Sequence, residues 1–213
     1  MKRVLHPLSF IAVLLVISAC AINAPPPIHD INESYIGELE QADKRWKKVA
    51  VLPFTGNEAF TRTTAEYFCF LVNKHYPIEI IGPALTGIWL EKKQQTNAGK
   101  SYDIWKANDK IADALDADVI ITGTISSISR EGLTVSVHVI DGMTGITVAT
   151  FVEAGIKQIP AFTMWDMEMW RKAVFTATEN AAYEFIGILY QFDGITWQRP
   201  LNRYSTYSAS NAE

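Results

Sequence analysis

Apolar and polar positions alternate between two regimes along this chain. Val49-Ala50-Val51-Leu52 is a continuous apolar run ended by Pro53, the pattern of a short strand covered on both faces. After the loop Thr55-Gly56-Asn57-Glu58, Phe60, Thr64, Tyr67, Phe68 and Leu71 recur at helical spacing, and Pro77 ends that helix. Ile78, Ile80 and Ile81 form a second short strand. Gly82-Pro83 turns it into a helix through Leu85, Ile88, Trp89 and Leu90, and the polar stretch Gln94 to Lys100 reads as a loop. Ile104, Ile111 and Leu115, with Ala107 and Ala112, mark the next helix. It leads into Ala117-Asp118-Val119-Ile120-Ile121-Thr122-Gly123, another buried strand.

From Leu133 the period changes to two. Leu133, Val135, Val137 and Val139 point one way, and Thr134, Ser136 and His138 the other, as in a half-buried strand. Asp141-Gly142-Met143-Thr144-Gly145 carries two glycines suited to positive φ, and Ile146 to Val152 returns as the partner strand of a hairpin. Residues 157–164 are irregular. A long helix is predicted from about Trp165 to Tyr190, with Ala173, Ala177 and Ala181 as a small-residue stripe at i, i+4, i+8. The order β-α-β-α-α-β-β-β-α predicts an α/β (α+β) domain: one mixed sheet with helices packed against it.

The first 46 residues follow other rules. Lys2 and Arg3 precede the unbroken apolar run Phe10 to Ile17, then the small residues Ser18 and Ala19, then Cys20. That is the layout of a secretory signal, and the run is about half the ~20 residues a membrane-spanning helix needs. Ile17-Ser18-Ala19-Cys20 resembles a bacterial lipobox, in which the cysteine thiol is acylated and becomes the new N-terminus. Residues 1–19 are therefore expected to be removed, with two or more acyl chains on Cys20 holding the protein to a membrane at about 0.8 kcal/mol per buried CH2. Ala21 follows the cysteine, where an acidic residue is associated with inner-membrane retention, so the expected location is the periplasmic face of the outer membrane. Residues 20–46, which include Pro25-Pro26-Pro27, read as a lipidated, Pro-rich tether. Residues 191–213 read as a flexible tail, which leaves 47–190 as the domain.

Charge and cysteine content narrow the function. Without Lys2 and Arg3 the 19 basic residues become 17 against 23 acidic ones, a net charge of −6. Nucleic acid is an unsuitable partner for such a chain, and the membrane attachment falls to the acyl chains. With Cys20 acylated, Cys69 stands alone in Tyr67-Phe68-Cys69-Phe70-Leu71. It reads as a small buried apolar side chain rather than a reactive thiol.

The sequence offers no catalytic or cofactor constellation. His29, His75 and His138 are far apart and show no HExxH or paired-His spacing, and no CxxC occurs, so no metal site is expected. No GxSxG, SxxK, Walker-type or GxGxxG pattern is present. Asp116 and Asp118 flank a strand start, where solvated turn acids are common. The one unusual cluster is Phe162-Thr163-Met164-Trp165-Asp166-Met167-Glu168-Met169-Trp170. It has two readings. One is a core-facing helix start. The other is an exposed contact surface of Phe162, Trp165, Met169 and Trp170 for lipid headgroups or a partner, since tryptophan suits a membrane interface and methionine suits adaptable contacts.

Several segments in order resemble one family. Lys48-Val-Ala-Val-Leu-Pro-Phe54 is similar to the first strand of the curli-secretion channel lipoproteins (CsgG-like), of the Pel-type exopolysaccharide-export lipoprotein and of the N-terminal domain of TolB. Ile80-Ile81-Gly82-Pro83-Ala84-Leu85, with Leu90-Glu91-Lys92-Lys93, resembles the family's second strand and helix. Ala112 to Gly123 and Val139-Ile140-Asp141 through Thr144-Gly145 resemble the strand and hairpin that follow. The resemblance spans about residues 47–190 and implies a CsgG/TolB-N-terminal-like domain. Thr124 to Leu133 and residues 153–164 leave no room for the channel's transmembrane hairpins, whose strands need about 9–11 residues each. The resemblance therefore implies a periplasmic domain without a pore, closer to the Pel-type lipoprotein.

What the resemblance further implies is a homo-oligomer, with the stripe Ala173, Ala177, Ala181 as one place to seat a neighbouring subunit. The alternative is that the stripe packs on the chain's own sheet. The expected role is a structural or accessory subunit of an envelope export or assembly apparatus, with no enzymatic activity and no cofactor. The competing reading is a monomeric lipoprotein that binds and regulates an envelope enzyme such as a peptidoglycan synthase, as activators on a similar fold do.

Overall fold

A computed structural model describes residues 27–42, 45–96, 108–127, 132–156 and 167–200. Among these, seven strands and five helices follow in the order β1 (Ile28–Ile31), α1 (Glu33–Gln41), β2 (Lys48–Val51), β3 (Thr55–Gly56), α2 (Glu58–His75), β4 (Glu79–Ile81), α3 (Pro83–Thr96), α4 (Asn108–Leu115), β5 (Val119–Ser127), β6 (Gly132–Asp141), β7 (Thr147–Ile156) and α5 (Met167–Phe192). They build one mixed sheet with strand order β1-β7-β6-β5-β2-β4. β2 runs parallel to both β4 and β5, and β5, β6, β7 and β1 pair antiparallel. The predicted α/β class with a single mixed sheet is the one observed.

Local chemistry sets the element ends. Leu52 still donates its N–H to Ile121, but Pro53 has no N–H to continue the ladder, so pairing with β5 resumes only at β3, Thr55 opposite Thr124. The Asn57 side chain accepts the Ala59 N–H and caps α2. In the β6–β7 turn Gly145 takes a φ of 70°, which a side chain would resist, while Gly142 has no positive φ. The Asp141 carboxylate holds that turn by accepting the N–H groups of Met143 and Thr144 and the Thr144 hydroxyl.

The sheet separates two cores. The larger lies under α1, α2 and α5 and includes Val49, Val51, Phe68, Leu71, Val135, Val137, Phe151, Phe185 and Ile186. A smaller cluster of Leu52, Leu90, Ile111, Ala112, Ile120 and Ile140 lies on the other face under α3 and α4. The β6 alternation predicted from sequence appears directly: Leu133, Val135, Val137 and Val139 are buried, and Thr134, Ser136 and His138 are half-buried.

Two boundaries and one packing surface differ from expectation. The domain begins at Ile28 rather than Lys47: β1 pairs with β7, Ile28 opposite Val152, and α1 sends Ile36 and Leu39 into the larger core, followed by Trp46. α5 runs to Phe192, which is buried, and residues 195–200 continue onto its surface, so the domain extends past residue 190. The Ala173, Ala177, Ala181 stripe is buried at 3%, 0% and 0% exposure and is not open to a neighbouring subunit. A Cβ placed on Gly155 of β7 would stand 2.1 Å from the Ala173 carbonyl oxygen, so α5 lies directly on its own sheet there. Small residues on both surfaces allow that approach.

Candidate anchoring and contact site

The chain enters the described structure at the C-terminal end of β7. β1 runs antiparallel to β7 from Ile28 opposite Val152 to Ile31 opposite Ala149, so β1 begins on the side of residues 153–156. α5 starts at the same end. Ala173 lies against Gly155, and further along α5 Asn180 donates to the Glu153 carboxylate at 3.2 Å. Met169 and Trp170, in the first turn of α5, therefore lie at the end where β1 begins. Both are half-buried, and Trp170 packs against the larger core. That corrects part of the contact reading, since Trp170 gives some of its surface to the fold. Cys20, Phe162 and Trp165 lie outside the described residues.

A polar network locks this first strand onto the body of the domain. His29 Nε2 lies 2.5 Å from Glu153 Oε1, and His29 Nδ1 lies 3.8 Å from Glu184. Glu153 is only 4% exposed. A buried carboxylate is costly without polar partners, and His29 and Asn180 are the side chains that meet it. Arg199 closes the network by donating to Glu184 at 3.1 Å and to the Asn180 side-chain oxygen. Sequence reading placed His29 in a tether and missed this role. No local signal marks it, because its partner is 124 residues away.

The opposite end of the sheet carries a cleft of about 640 Å³, lined by Arg45, Trp46, Lys47, Asp116, Asp118, Asp141 and Met143 among others. Its acids hold the backbone. Asp118 Oδ2 accepts the N–H groups of Lys47 and Lys48 at 2.7 and 2.9 Å. Asp116 and Glu79 flank the Lys48 ammonium at 3.4 Å each, with Asp116 in a left-handed conformation at φ 52°. Asp116 and Asp118 thus stabilise the strand starts. Among the described residues no group of three or more His, Cys, Asp or Glu side chains is placed to hold a metal ion. Also among them, no helix is long and apolar enough to cross a membrane.

Burial shifts three further side chains. Burial pushes the Cys69 thiol up to about 12. Burial also holds the His138 imidazole below its ordinary range; its Nδ1 sits 3.0 Å from the Thr150 hydroxyl. His75 is lowered by burial and then by Lys74, against the opposing pull of Glu179.

No family model matches this sequence, and no curated protein matches it. Solved structures similar to it include lipoprotein GNA1162 from Neisseria meningitidis, at 11% identity and a TM-score of 0.43, covering 64% of this chain and 96% of that one. A PelC dodecamer from Paraburkholderia phytofirmans is similar at 16% identity and a TM-score of 0.40, covering 71% and 89%. The LpoB C-terminal domain from Escherichia coli is similar at 15% identity and a TM-score of 0.39, covering 57% and 93%. At these identities and TM-scores the likenesses carry no functional argument.

Proposed function

We propose that this chain is a lipoprotein held by acyl chains on Cys20 to the periplasmic face of the outer membrane. Its domain serves as a self-associating structural or accessory subunit of an envelope export or assembly apparatus, without catalysis of its own. One juxtaposition carries this reading. The lipobox-like Ile17-Ser18-Ala19-Cys20 is followed, after only seven residues, by a strand that enters the sheet at a defined end. Fully extended, the link from Cys20 to Ile28 reaches about 25–30 Å, so that end of the sheet faces the bilayer. Met169 and Trp170, with Phe162 and Trp165 just before them in sequence, are the contact set for headgroups or a partner at that face. Self-association is supported by the sequence resemblance over 47–190 and by the sheet, which among the described residues ends in the edge strands β1 and β4.

Replacing Cys20 by Ala tests the anchor. The variant is expected in the soluble periplasmic fraction, and the wild-type N-terminal peptide is expected to carry acyl mass. Wild type without acyl mass, or a variant that still sediments with membranes, refutes it. Light scattering on the full chain in detergent tests self-association.

One observation favours the second reading, a monomeric regulator of an envelope enzyme such as a peptidoglycan synthase. The cleft around Arg45, Trp46 and Met143 opens at the end away from the anchor, where a periplasmic partner has access. A monomer at all concentrations selects that reading over the first.

A further inference from the structure

The cleft beside the starts of β2 and β5 has walls that the fold holds in place. One wall is the strand entry at Arg45, Trp46 and Lys47. The second is the end of α4 at Ala112 and Asp113, and the third is the β6–β7 turn at Gly142 and Met143. Asp118 joins the first wall to the third. Its carboxylate accepts the Lys47 and Lys48 N–H groups, and its carbonyl accepts the Gly142 N–H at 2.7 Å. A Cβ on Gly142 would stand 2.4 Å from the Ala117 carbonyl oxygen and 2.8 Å from the Ala112 Cβ, so glycine lets the turn close against α4.

The charges on these walls are divided. Asp113 and Asp116 stand at the C-terminal end of α4, a helix with no basic residue in its last turn. A helix C-terminus already carries partial negative charge and favours a cation. Asp118 and Asp141 direct their carboxylates at backbone N–H groups. Asp116 meets the Lys48 ammonium at 3.4 Å, with its own side chain 97% exposed, and Asp113 makes no ion pair among the described residues. On the strand-entry wall the position is reversed. The Lys47 N–H is bound to Asp118, while its exposed ammonium makes no ion pair among the described residues. Between these charges the lining is apolar and mostly small, with Leu39, Ala112 and Ala117, and Met143 exposed at the edge. Trp46 lines the same cleft. It is 6% exposed, and its indole Nε1 is buried without a hydrogen-bond partner.

We propose that this cleft binds a short free peptide, with its ammonium at Asp113 and Asp116 and its carboxylate at Lys47. A cation alone suits the α4 end, and an anion alone suits Lys47; a ligand carrying both charges suits the cleft as a whole. The volume of about 640 Å³ lies in the range of small-molecule sites. The alanines at 112 and 117 leave room for a peptide with small side chains, and Met143 is an adaptable wall. A buried donor left unpaired is unfavourable, and the peptide carbonyls between the two charges are acceptors of the kind Trp46 Nε1 lacks. This site goes beyond both functional readings, since it requires neither the anchor nor self-association.

Isotope-labelled full chain in detergent is titrated with dialanine, trialanine and tetra-alanine, and occupancy is read from the NMR shifts of the Lys47, Lys48 and Gly142 amides. At least one peptide is expected to bind saturably. Its N-acetyl and C-terminal amide forms are each expected to bind about tenfold more weakly, because each lacks one charge-assisted contact. Lys47→Gln should lose about tenfold toward the free peptide and nothing further toward the amide. Asp113→Asn should lose the same toward the free peptide and nothing further toward the acetyl form. Circular dichroism checks that both variants fold. No saturable shift up to about 10 mM overturns the site. Equal affinity for either blocked form overturns the two-charge assignment, the acetyl form by pointing to a protein C-terminus instead. Variants that lose equally toward every form also overturn it, because the effect is then structural.

Discussion

His29 and Glu153 meet diagonally across the β1–β7 pair, His29 being paired with Phe151, and His29 Nε2 lies 2.5 Å from a carboxylate that is almost wholly buried. Through this contact the first strand after the proposed tether is joined to the larger core. His29→Ala leaves the buried carboxylate with Asn180 as its remaining side-chain partner. The expected cost is about 1–3 kcal/mol, read as a lower denaturant midpoint. In a double-mutant cycle with Glu153→Gln, the loss from His29→Ala is expected to shrink. Equal losses in both backgrounds refute the coupling.

Gly155→Ala tests how closely α5 sits on the sheet. The added Cβ would meet the Ala173 carbonyl oxygen at 2.1 Å, and backbone atoms, rather than a flexible side chain, have to give way. Overpacking of this kind costs about 1–3 kcal/mol or more. Gly37→Ala is the control, since nothing lies within 4 Å of its Cβ. It is expected to leave stability unchanged or raised. A tolerated Gly155→Ala contradicts the close packing.

Cys69 is expected to be inert in the folded protein. Burial drives its thiol up to about 12, so the thiolate, the reactive species, is scarce at neutral pH. Iodoacetamide labelling at pH 8 should be slow in buffer and rapid in denaturant. Comparable rates in both conditions would show an accessible thiol.

Acid is expected to loosen the packing around Trp197. The imidazole of His75 is depressed by burial and by Lys74, with Glu179 opposing. A depressed histidine contributes stability that is full above its ordinary pKa of about 6.5 and is lost as pH falls below that value. His138, also depressed by burial, acts in the same direction. Between pH 7.5 and 5.5 the thermal midpoint should fall, and His75→Gln should reduce the size of that fall. An undiminished fall in the variant refutes the assignment.

The local pattern determined the centre of this protein. Leu133, Val135, Val137 and Val139 alternate with polar residues, and any sheet that buries one face of such a strand must take these four inward. The same holds for the runs at Val49–Leu52 and Val119–Ile121, and for the hairpin whose turn Asp141 and Gly145 build from their own chemistry. The lipobox-like motif at Cys20 is likewise a contiguous pattern that needs no fold to be read. Tertiary structure decided what depends on a distant partner. Ile28–Ile31 has no strong strand pattern of its own, yet it is a strand because β7 offers an open edge and Glu153 needs His29. The alanine stripe at 173, 177 and 181 suits a neighbouring subunit or the chain's own sheet equally well by spacing; Gly155 supplies the inward surface close enough to claim it. Trp197 reads as a tail residue until Tyr190 and His75, brought together by α5 and α2, form the slot that holds it. Periodicity is a property of neighbours in sequence, whereas these three assignments are properties of neighbours in space.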